Sequence, residues 1–201
     1  MARSLNKSRM RNSRIVLALV LCAAFFTKAL VGYETPFHDM LDFAGYVLVA
    51  FCALGRLYST AFLGGFKNEK LITYGAFSIC RNPLYFFSLL GMTGVALISA
   101  HLAIIIVMPL TFLVLYHFLI LREEAFLKET FGQAYLDYMD STPRLFPNFR
   151  LYKAPHKVEV APKYLKKAFL DAIWWFAAYP LFEFAEFLQE SGLIRPVLML
   201  P

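Results

Sequence analysis

The amino-acid sequence predicts an all-α integral membrane bundle, and three observations support this fold class. Of the 201 residues, 59% are hydrophobic and 17% are charged, whereas soluble domains carry about 25% charged residues. Apolar runs of near-spanning length recur along the chain, which suggests about five helices. Basic residues collect in alternate connections between these runs, as they do in multi-pass proteins. We therefore expect one membrane domain over residues 1–201.

The first two apolar runs are Ile15–Val31 and Phe43–Phe62. The first follows a basic tail, and we predict an uncleaved span there rather than a signal peptide. The second contains Arg56, whose charge is costly at mid-bilayer but lies near the inner end of the run. We interpret Arg56 as an interfacial anchor that extends to the membrane surface, with ligand contact as the alternative.

The third and fourth runs, Leu84–Ser99 and Leu102–Leu121, are predicted to form a tight transmembrane hairpin, because only Ala100 and His101 separate them. The third run is shorter than the roughly 20 residues of a typical span. It is therefore tilted, or lengthened by the aromatic residues before it. Pro109 is expected to kink the fourth helix, since proline supplies no backbone donor.

The last run, Ala168–Phe187, lies in a C-terminal helical extension over residues 160–190 and allows two interpretations. Its charge-free centre is short for a span, and three glutamates recur on one helical face: Glu183, Glu186 and Glu190. A membrane-embedded helix is the preferred interpretation. The alternative is an amphipathic helix that lies on the membrane surface.

Charge asymmetry predicts the orientation of the bundle. The loop Tyr33–Asp42 carries acids and no basic residue, whereas the N-terminal tail and two polar segments, Lys67–Arg81 and Arg122–Lys167, are basic on balance. By the positive-inside rule, the N-terminus and both polar segments face the cytoplasm. The expected location is an integral, multi-pass position in a lipid bilayer.

Composition and motifs argue against several other classes of protein. The net charge of +6 does not indicate a nucleic-acid partner, because the basic residues lie beside apolar runs rather than on an amphipathic face with exposed aromatics. The cysteines and histidines show no metal-ligand spacing, so no metal is expected. Glycine-rich nucleotide motifs and the G-x-S-x-G of serine hydrolases are missing from the sequence.

The first segment with candidate chemistry ends in Arg81-Asn82-Pro83-Leu84-Tyr85. Pro83 suits the first turn of a helix, where its missing N–H would be unpaired anyway. The free backbone N–H groups and the positive helix end form a corner that suits a carboxylate or another anion. The alternative is a membrane-interface turn anchored by Arg81 and Tyr85.

The second segment continues from the fourth run with the adjacent acids Glu123 and Glu124. On a helix, Glu123 shares a face with Tyr116, and Glu124 shares one with His117. One acid can therefore face a pocket while its neighbour pairs with a base. A carboxylate in the pocket can accept both hydroxyls of a ribose or attract a cation; the alternative is a solvated helix end.

Together the two segments resemble the isoprenylcysteine carboxyl methyltransferase and phospholipid methyltransferase superfamily. The family pattern is Arg-His-Pro-x-Tyr before a membrane hairpin, a Glu-Glu pair, Phe-Gly-x-x-Tyr and a terminal Arg-x-x-Pro. The same order occurs here between residues 67 and 147, under half of the chain, as Arg81–Tyr85, Glu123–Glu124, Phe131–Tyr135 and Arg144–Pro147.

The resemblance implies S-adenosyl-L-methionine as methyl donor, bound in a cytoplasmic pocket of the core 67–147. Carried over by position, the cofactor-binding residues are Lys70, Leu71, Ile72, Phe77, Asn82, Pro83, Leu84, Tyr85 and Glu123, with Glu124 as neighbour. Asn82 replaces the family's usual histidine, and Phe87 replaces a common glycine. The substrate-contacting arginine of the prenylcysteine enzymes falls at Leu119, so Leu119 and Arg122 are candidate substrate positions. Arg122 or Arg56 would then have to supply the missing cation.

The sequence thus predicts a methyltransferase that acts on a lipophilic or lipidated acceptor from the bilayer, including an isoprenylcysteine-type carboxylate. Phospholipid amine N-methylation, a nicotinamide-dependent reductase and a non-catalytic protein with a degenerate site are the alternatives. Methyl transfer from a sulfonium is an in-line displacement, so positioning supplies much of the acceleration. No catalytic base is identified, which favours an acceptor that is already nucleophilic at neutral pH.

Overall fold

The computed structural model describes residues 27–29, 35–63, 69–194 and 198–200, and these form a helical bundle. The predicted all-α membrane bundle is confirmed, with one short parallel pairing of β1 and β2 in addition. In chain order the elements are β1 (Thr27–Ala29), α1 (Pro36–Leu63), α2 (Ala76–Ile79), α3 (Pro83–Ile98), α4 (Leu102–Phe131), α5 (Gln133–Ser141), a 3-10 turn (Phe149–Leu151), α6 (Pro162–Phe176), α7 (Ala178–Glu190) and β2 (Leu198–Leu200).

The predicted first span, Ile15–Val31, lies outside the described residues except for Thr27–Ala29, which form β1. The second predicted span corresponds to α1, but the helix begins earlier than its apolar run. It starts at Pro36, so most of the predicted acidic loop is helical. Proline fits this first helical position, and Asp39 in the first turn is favoured by the helix dipole.

The hairpin between α3 and α4 is confirmed, with Ser99 to His101 as the connection. α4 passes through Pro109 and continues to Phe131, well beyond its apolar run. The adjacent acids Glu123 and Glu124 therefore lie on the same helix as the predicted span. This continuity fixes their positions relative to the membrane hairpin.

α1 and α3 form the closest helix contact of the bundle core. A Cβ added at Gly45 would lie 2.6 Å from the carbonyl oxygen of Gly94, and the reverse substitution meets the Gly45 oxygen at the same distance. Small residues allow such backbone approach between helices in membranes. Val49 and Val95 lie beside the glycines in the main hydrophobic cluster.

The predicted helix Ala168–Phe187 is instead two helices, α6 and α7, which meet at Ala177. Val158, just before α6, packs against the cluster at the end of α1 that contains Phe62. At the other end, His38 Nε2 lies 3.3 Å from Glu186 Oε1. The pair therefore runs antiparallel along α1, which favours an embedded arrangement over a helix lying on the surface.

The predicted glutamate stripe lines a cavity between α7 and the beginning of α1. Its volume is about 720 Å³, and its walls combine acids, aromatics and one histidine: His38, Asp39, Asp42, Phe43, Tyr46, Tyr179, Glu183, Glu186 and Glu190. The cavity lies at the end of α1 remote from Phe62. It is therefore separate from the two motif segments.

Two of the described helices, α1 and α4, are long and apolar enough to cross a bilayer, and α3 is a shorter apolar helix. α4 exposes a continuous set of large apolar side chains: Leu102, Ile106, Val107, Leu110, Val114, Leu115 and Phe118. A patch of this kind is rare on soluble monomers, whereas lipid solvates it. The exposed apolar face therefore matches the expected membrane location.

Candidate functional site

The segment before α3 is an ordered connection built around the short helix α2. Gly75, which precedes α2, has φ +59°, and an added Cβ there would lie 2.4 Å from the Phe62 ring. Ile72 and Phe77 are buried in a cluster with Phe62 and Ala76. The fold of this connection is thus fixed by packing against the end of α1.

Residues after the second motif hold the same connection from the other side. Gly75 N–H donates to the Lys153 carbonyl at 2.8 Å, and Asn148 N–H donates to the Ile79 carbonyl at 2.9 Å. The Lys153 N–H donates to Ser78 Oγ at 2.9 Å. The two motif segments are therefore joined by backbone hydrogen bonds as well as by side chains.

Glu124 lies between two arginines that come from both segments. Its Oε1 is 3.0 Å from Arg81 Nη2, and its Oε2 is 3.1 Å from Arg144 Nη2. Arg81 also donates to the carbonyls of Met139 and Thr142, at 2.7 and 2.8 Å. Glu124 is only 3% exposed and the Arg81 side chain only 8%, so the pairing of these two residues is largely desolvated. The cluster of two guanidinium groups and the Glu124 carboxylate carries one net positive charge, and the Glu123 carboxylate lies beside it at the beginning of α3.

Glu123 points to a different partner. The Tyr85 hydroxyl donates to Glu123 Oε2 at 2.9 Å, and the Tyr85 ring packs against Tyr116 with centroids 5.2 Å apart. One of the two acids pairs with bases as expected, since Glu124 contacts Arg81 and Arg144; Glu123 lies on the face of Tyr116, and its place in a pocket stays a prediction. Glu123 is partly exposed and can accept further hydrogen bonds.

The turn at the beginning of α3 has the predicted proline at the first helical position. The N–H groups of Tyr85 and Phe86 both donate to the Asn82 carbonyl, at 3.1 Å. The Asn82 side chain donates through Nδ2 to the Arg144 carbonyl at 3.0 Å. Asn82, which stands where the family has histidine, thus uses its amide to join the two segments.

The buried phenols and thiol near this cluster are poor bases. Burial raises the pKa of Tyr135 to about 12 and that of the Cys80 thiol to about 12. Burial also raises the pKa of Tyr138, whose hydroxyl donates to the Phe77 carbonyl at 2.6 Å. All three groups are neutral at physiological pH, so none supplies a thiolate or phenolate.

The structure brings some of the predicted site residues together and leaves others apart. Tyr85 and Glu123 are in contact, whereas Lys70 and Arg122 are exposed and Leu119 is partly exposed on α4. The others lie in the connection or the following turn: Leu71, Ile72, Phe77, Asn82, Pro83 and Leu84. As ligands of a cofactor or substrate, all of these residues stay predictions.

The sequence alone did not predict the contacts of Arg81 and Arg144 with Glu124. The available signal was that both arginines belong to the motif set and have the opposite charge to the Glu-Glu pair. The contact of Arg56 with Ser88, at 2.5 Å, was also not predicted. The Arg56 side chain extends to α3, and its role as an interfacial anchor stays a prediction.

Comparison with known families tests the resemblance that the motifs suggest. Residues 43–134 match the phospholipid methyltransferase family. The match spans most of α1, all of α3 and α4, and the connection between them. The resemblance to this superfamily of small membrane methyltransferases is thereby confirmed.

Two relatives extend the similarity over nearly the whole chain. The protein is 29% identical to the cobalt-zinc-cadmium resistance protein CzcN of Cupriavidus metallidurans, covering 98% of this chain and 90% of the relative. It is 24% identical to the nickel-cobalt-cadmium resistance protein NccN of Alcaligenes xylosoxydans xylosoxydans, covering 98% and 92%. No solved structure gives a significant match. Within the described part of the chain, no group of three or more potential ligands has metal-binding geometry.

Proposed function

We propose that this protein is an S-adenosyl-L-methionine-dependent methyltransferase that acts on a lipophilic or lipidated acceptor. The observation that carries the proposal is the contact of Tyr85 with Glu123, at 2.9 Å, across the hairpin of α3 and α4. Beside it, Glu124 is held by Arg81 and Arg144. The family match over this hairpin supports methyl transfer as the reaction.

The residues at the site complement two chemical groups of the proposed cofactor, its methionine carboxylate and its ribose hydroxyls. The beginning of α3 at Pro83, next to the net positive Arg81–Glu124–Arg144 cluster, suits the methionine carboxylate. The partly exposed carboxylate of Glu123 suits the ribose hydroxyls. When bound, the cofactor supplies a sulfonium methyl group for in-line displacement. The chain's own residues would bind and orient it.

The acceptor arrives ready to react, because the buried thiol and phenols near the site are protonated and the buried Glu124 carboxylate is held by two arginines. The pKa values of Cys80 and Tyr135 are both raised to about 12, so neither takes a proton at neutral pH. A carboxylate of the isoprenylcysteine type meets this requirement. Phospholipid amine N-methylation is the second candidate, favoured by the description of the matched family.

The names of the two relatives suggest a physiological setting for the reaction. Because the similarity covers 98% of the chain, we propose that methyl transfer by this protein contributes to resistance to divalent metals. The test is growth of cells lacking the protein in cobalt, zinc and cadmium. Restored growth with the wild type but not with Glu123→Gln supports the proposal, and equal growth with and without the protein contradicts it.

Direct binding tests the biochemical proposal. We expect purified protein in neutral detergent to bind S-adenosyl-L-methionine, and Glu123→Gln to weaken binding at least tenfold. Glu129→Gln is the matched control, because it makes the same charge change at an exposed position of α4. If the wild type does not bind, the proposed function is wrong; if all three proteins bind equally, the assignment of Glu123 to the cofactor site is wrong.

A further inference from the structure

A strongly basic surface lies on the segment that follows the second motif. Residues 150–171 contain two acids, Glu159 and Asp171, against six exposed cationic side chains: Arg150, Lys153, Lys157, Lys163, Lys166 and Lys167. None of the six forms a salt bridge with another described residue. These six residues, called the basic surface below, therefore present their charges to the surroundings of the protein.

Backbone contacts hold the first part of the basic surface at the end of α1. The Lys153 carbonyl accepts from the Gly75 N–H at 2.8 Å, and the Lys153 N–H donates to Ser78 Oγ at 2.9 Å. The Tyr152 hydroxyl lies 2.7 Å from the Tyr58 hydroxyl of α1. The backbone of this segment thus binds the bundle, while the side chain of Lys153 is exposed.

One face of α6 shows the depth at which its lysines lie in the bilayer. Lys163 and Lys167 are four residues apart, and Leu170 and Trp174 continue the same helical face. Leu170 is 50% exposed and Trp174 is 77% exposed, as expected for side chains that lipid solvates. The face changes from lysine to leucine within about 5 Å along the helix axis. This change marks the boundary between lipid headgroups and hydrocarbon.

Exposed aromatic side chains beside the cations indicate the same depth. Phe149 and Tyr152 flank Arg150, and Tyr164 follows Lys163; all three aromatic side chains are exposed. Amphipathic aromatic residues are enriched at membrane–water interfaces. The combination of cations with exposed aromatics therefore fits a layer of lipid headgroups better than an acidic partner in water.

We propose that the basic surface binds the headgroups of anionic phospholipids in the leaflet that adjoins the two motif segments. Clusters of four to eight cations beside a membrane helix attract lipids with a net negative charge. A zwitterionic headgroup is attracted less, because its own cation lies close to its phosphate. The lipid in question is a neighbour of the protein and not the methyl acceptor, so this binding is independent of the proposed function.

The chain carries an intrinsic probe of the lipid beside α6. Its two tryptophans, Trp174 and Trp175, both lie on this helix. Trp174 is about 10 Å beyond Lys167 along the helix axis, which is within the half-thickness of roughly 15 Å of the hydrocarbon layer. A lipid whose headgroup contacts Lys167 therefore places its acyl chains beside Trp174. Bromine atoms in the middle of those chains quench tryptophan fluorescence at short range.

The test reconstitutes the full chain in vesicles of equimolar phosphatidylcholine and phosphatidylglycerol at neutral pH. Either the first or the second lipid is brominated, and the ratio of the two quenching efficiencies gives the lipid preference beside α6. The test variant is Lys163→Gln with Lys167→Gln, and Lys163→Arg with Lys167→Arg retains both charges. The matched control is Lys70→Gln with Lys128→Gln, which removes two exposed cations outside the basic surface.

We expect phosphatidylglycerol to be enriched about threefold or more beside α6 in the wild type at low salt, and less so at high salt. The paired glutamine substitutions in α6 should reduce this enrichment toward none. The arginine variant and the matched control should keep it, because position and charge both matter. No preference in the wild type, or a preference that survives in the glutamine variant, overturns the proposal. An equal loss in the matched control also overturns it, since net charge alone would then account for the effect.

Discussion

Arg81 contacts Glu124 at 3.0 Å although the two residues are 43 positions apart in the chain. Both side chains are more than nine-tenths buried, with 8% and 4% exposed. The pair therefore joins the connection before α3 to the far end of α4. Removal of either side chain would leave the charge of the other unpaired in a poorly solvated environment.

Glu124→Gln should destabilise the protein more than a surface substitution does. Removing one member of a buried ion pair costs about 3–5 kcal/mol, because the remaining guanidinium groups lose their counterion. The measurement is the thermal unfolding midpoint in detergent. Glu129→Gln serves as control, and an equal midpoint for the two variants would show that the cluster carries no stability. Arg144→Gln should cost less, since the Arg144 side chain is 41% exposed.

Tyr85→Phe should weaken cofactor binding without unfolding the protein. The substitution removes the hydroxyl that donates to Glu123 but keeps the ring against Tyr116. This hydrogen bond lies within the protein, so its loss acts on the affinity only by releasing the Glu123 carboxylate from its position, and we expect a severalfold rather than a complete loss of affinity. Equilibrium binding of S-adenosyl-L-methionine provides the measurement, with Tyr164→Phe as the control at an exposed position. Identical affinities of the wild type and Tyr85→Phe would show that the contact between Tyr85 and Glu123 does not contribute to cofactor binding.

The stability of the protein should fall at high pH, partly because of Tyr135. Burial raises its pKa from 10.0 to about 12, so the folded state favours the neutral phenol. The unfolded chain releases this proton first. The contribution to stability is therefore present below about pH 10 and is lost as pH rises toward 12. Unfolding midpoints between pH 8 and 11 test this: Tyr135→Phe should decline less steeply than wild type above pH 10, whereas Tyr164→Phe should follow wild type.

Gly94→Ala should loosen the contact between α1 and α3. The added Cβ would lie 2.6 Å from the Gly45 carbonyl oxygen, which is backbone and cannot rotate away. Overpacking of this kind costs about 1–3 kcal/mol, read as a lower unfolding midpoint. Ala125→Leu adds more volume at an exposed position of α4 and should have little effect. A midpoint for Gly94→Ala equal to that of wild type would contradict the close approach of the two helices.

Apolar runs predicted the centres of the helices well and their ends less well. The hairpin helix α3 spans Pro83–Ile98, within one residue of the predicted Leu84–Ser99. Its apolar run has short polar segments on both sides, so the composition alone marks where the helix begins and ends. α1 and α4 extend beyond their apolar runs. Their additional turns are polar, and packing against distant segments determines whether such turns stay helical.

The motif order predicted which residues form the candidate site but not how they pair. Glu123 and Glu124 are adjacent, so their side chains point in directions about 100° apart on the helix. Which of the two acids contacts Arg81 depends on how α4 packs against the connection before α3. The sequence around the two glutamates does not indicate that packing. The break at Ala177 did have a local signal that was not used: Pro180 lies three residues further along, and proline interrupts a continuous helix but fits the first turn of a new one.

The position of Arg144 also bears on how the protein is made. Arg144, the second arginine that contacts Glu124, is synthesised 20 residues after it. Lys153, whose carbonyl accepts from the Gly75 N–H, is synthesised later still. The chain of both hairpin helices has been synthesised by then. The site is therefore completed late in synthesis: the chain of the hairpin is made first, and the segments after α4 that contact it are made afterwards.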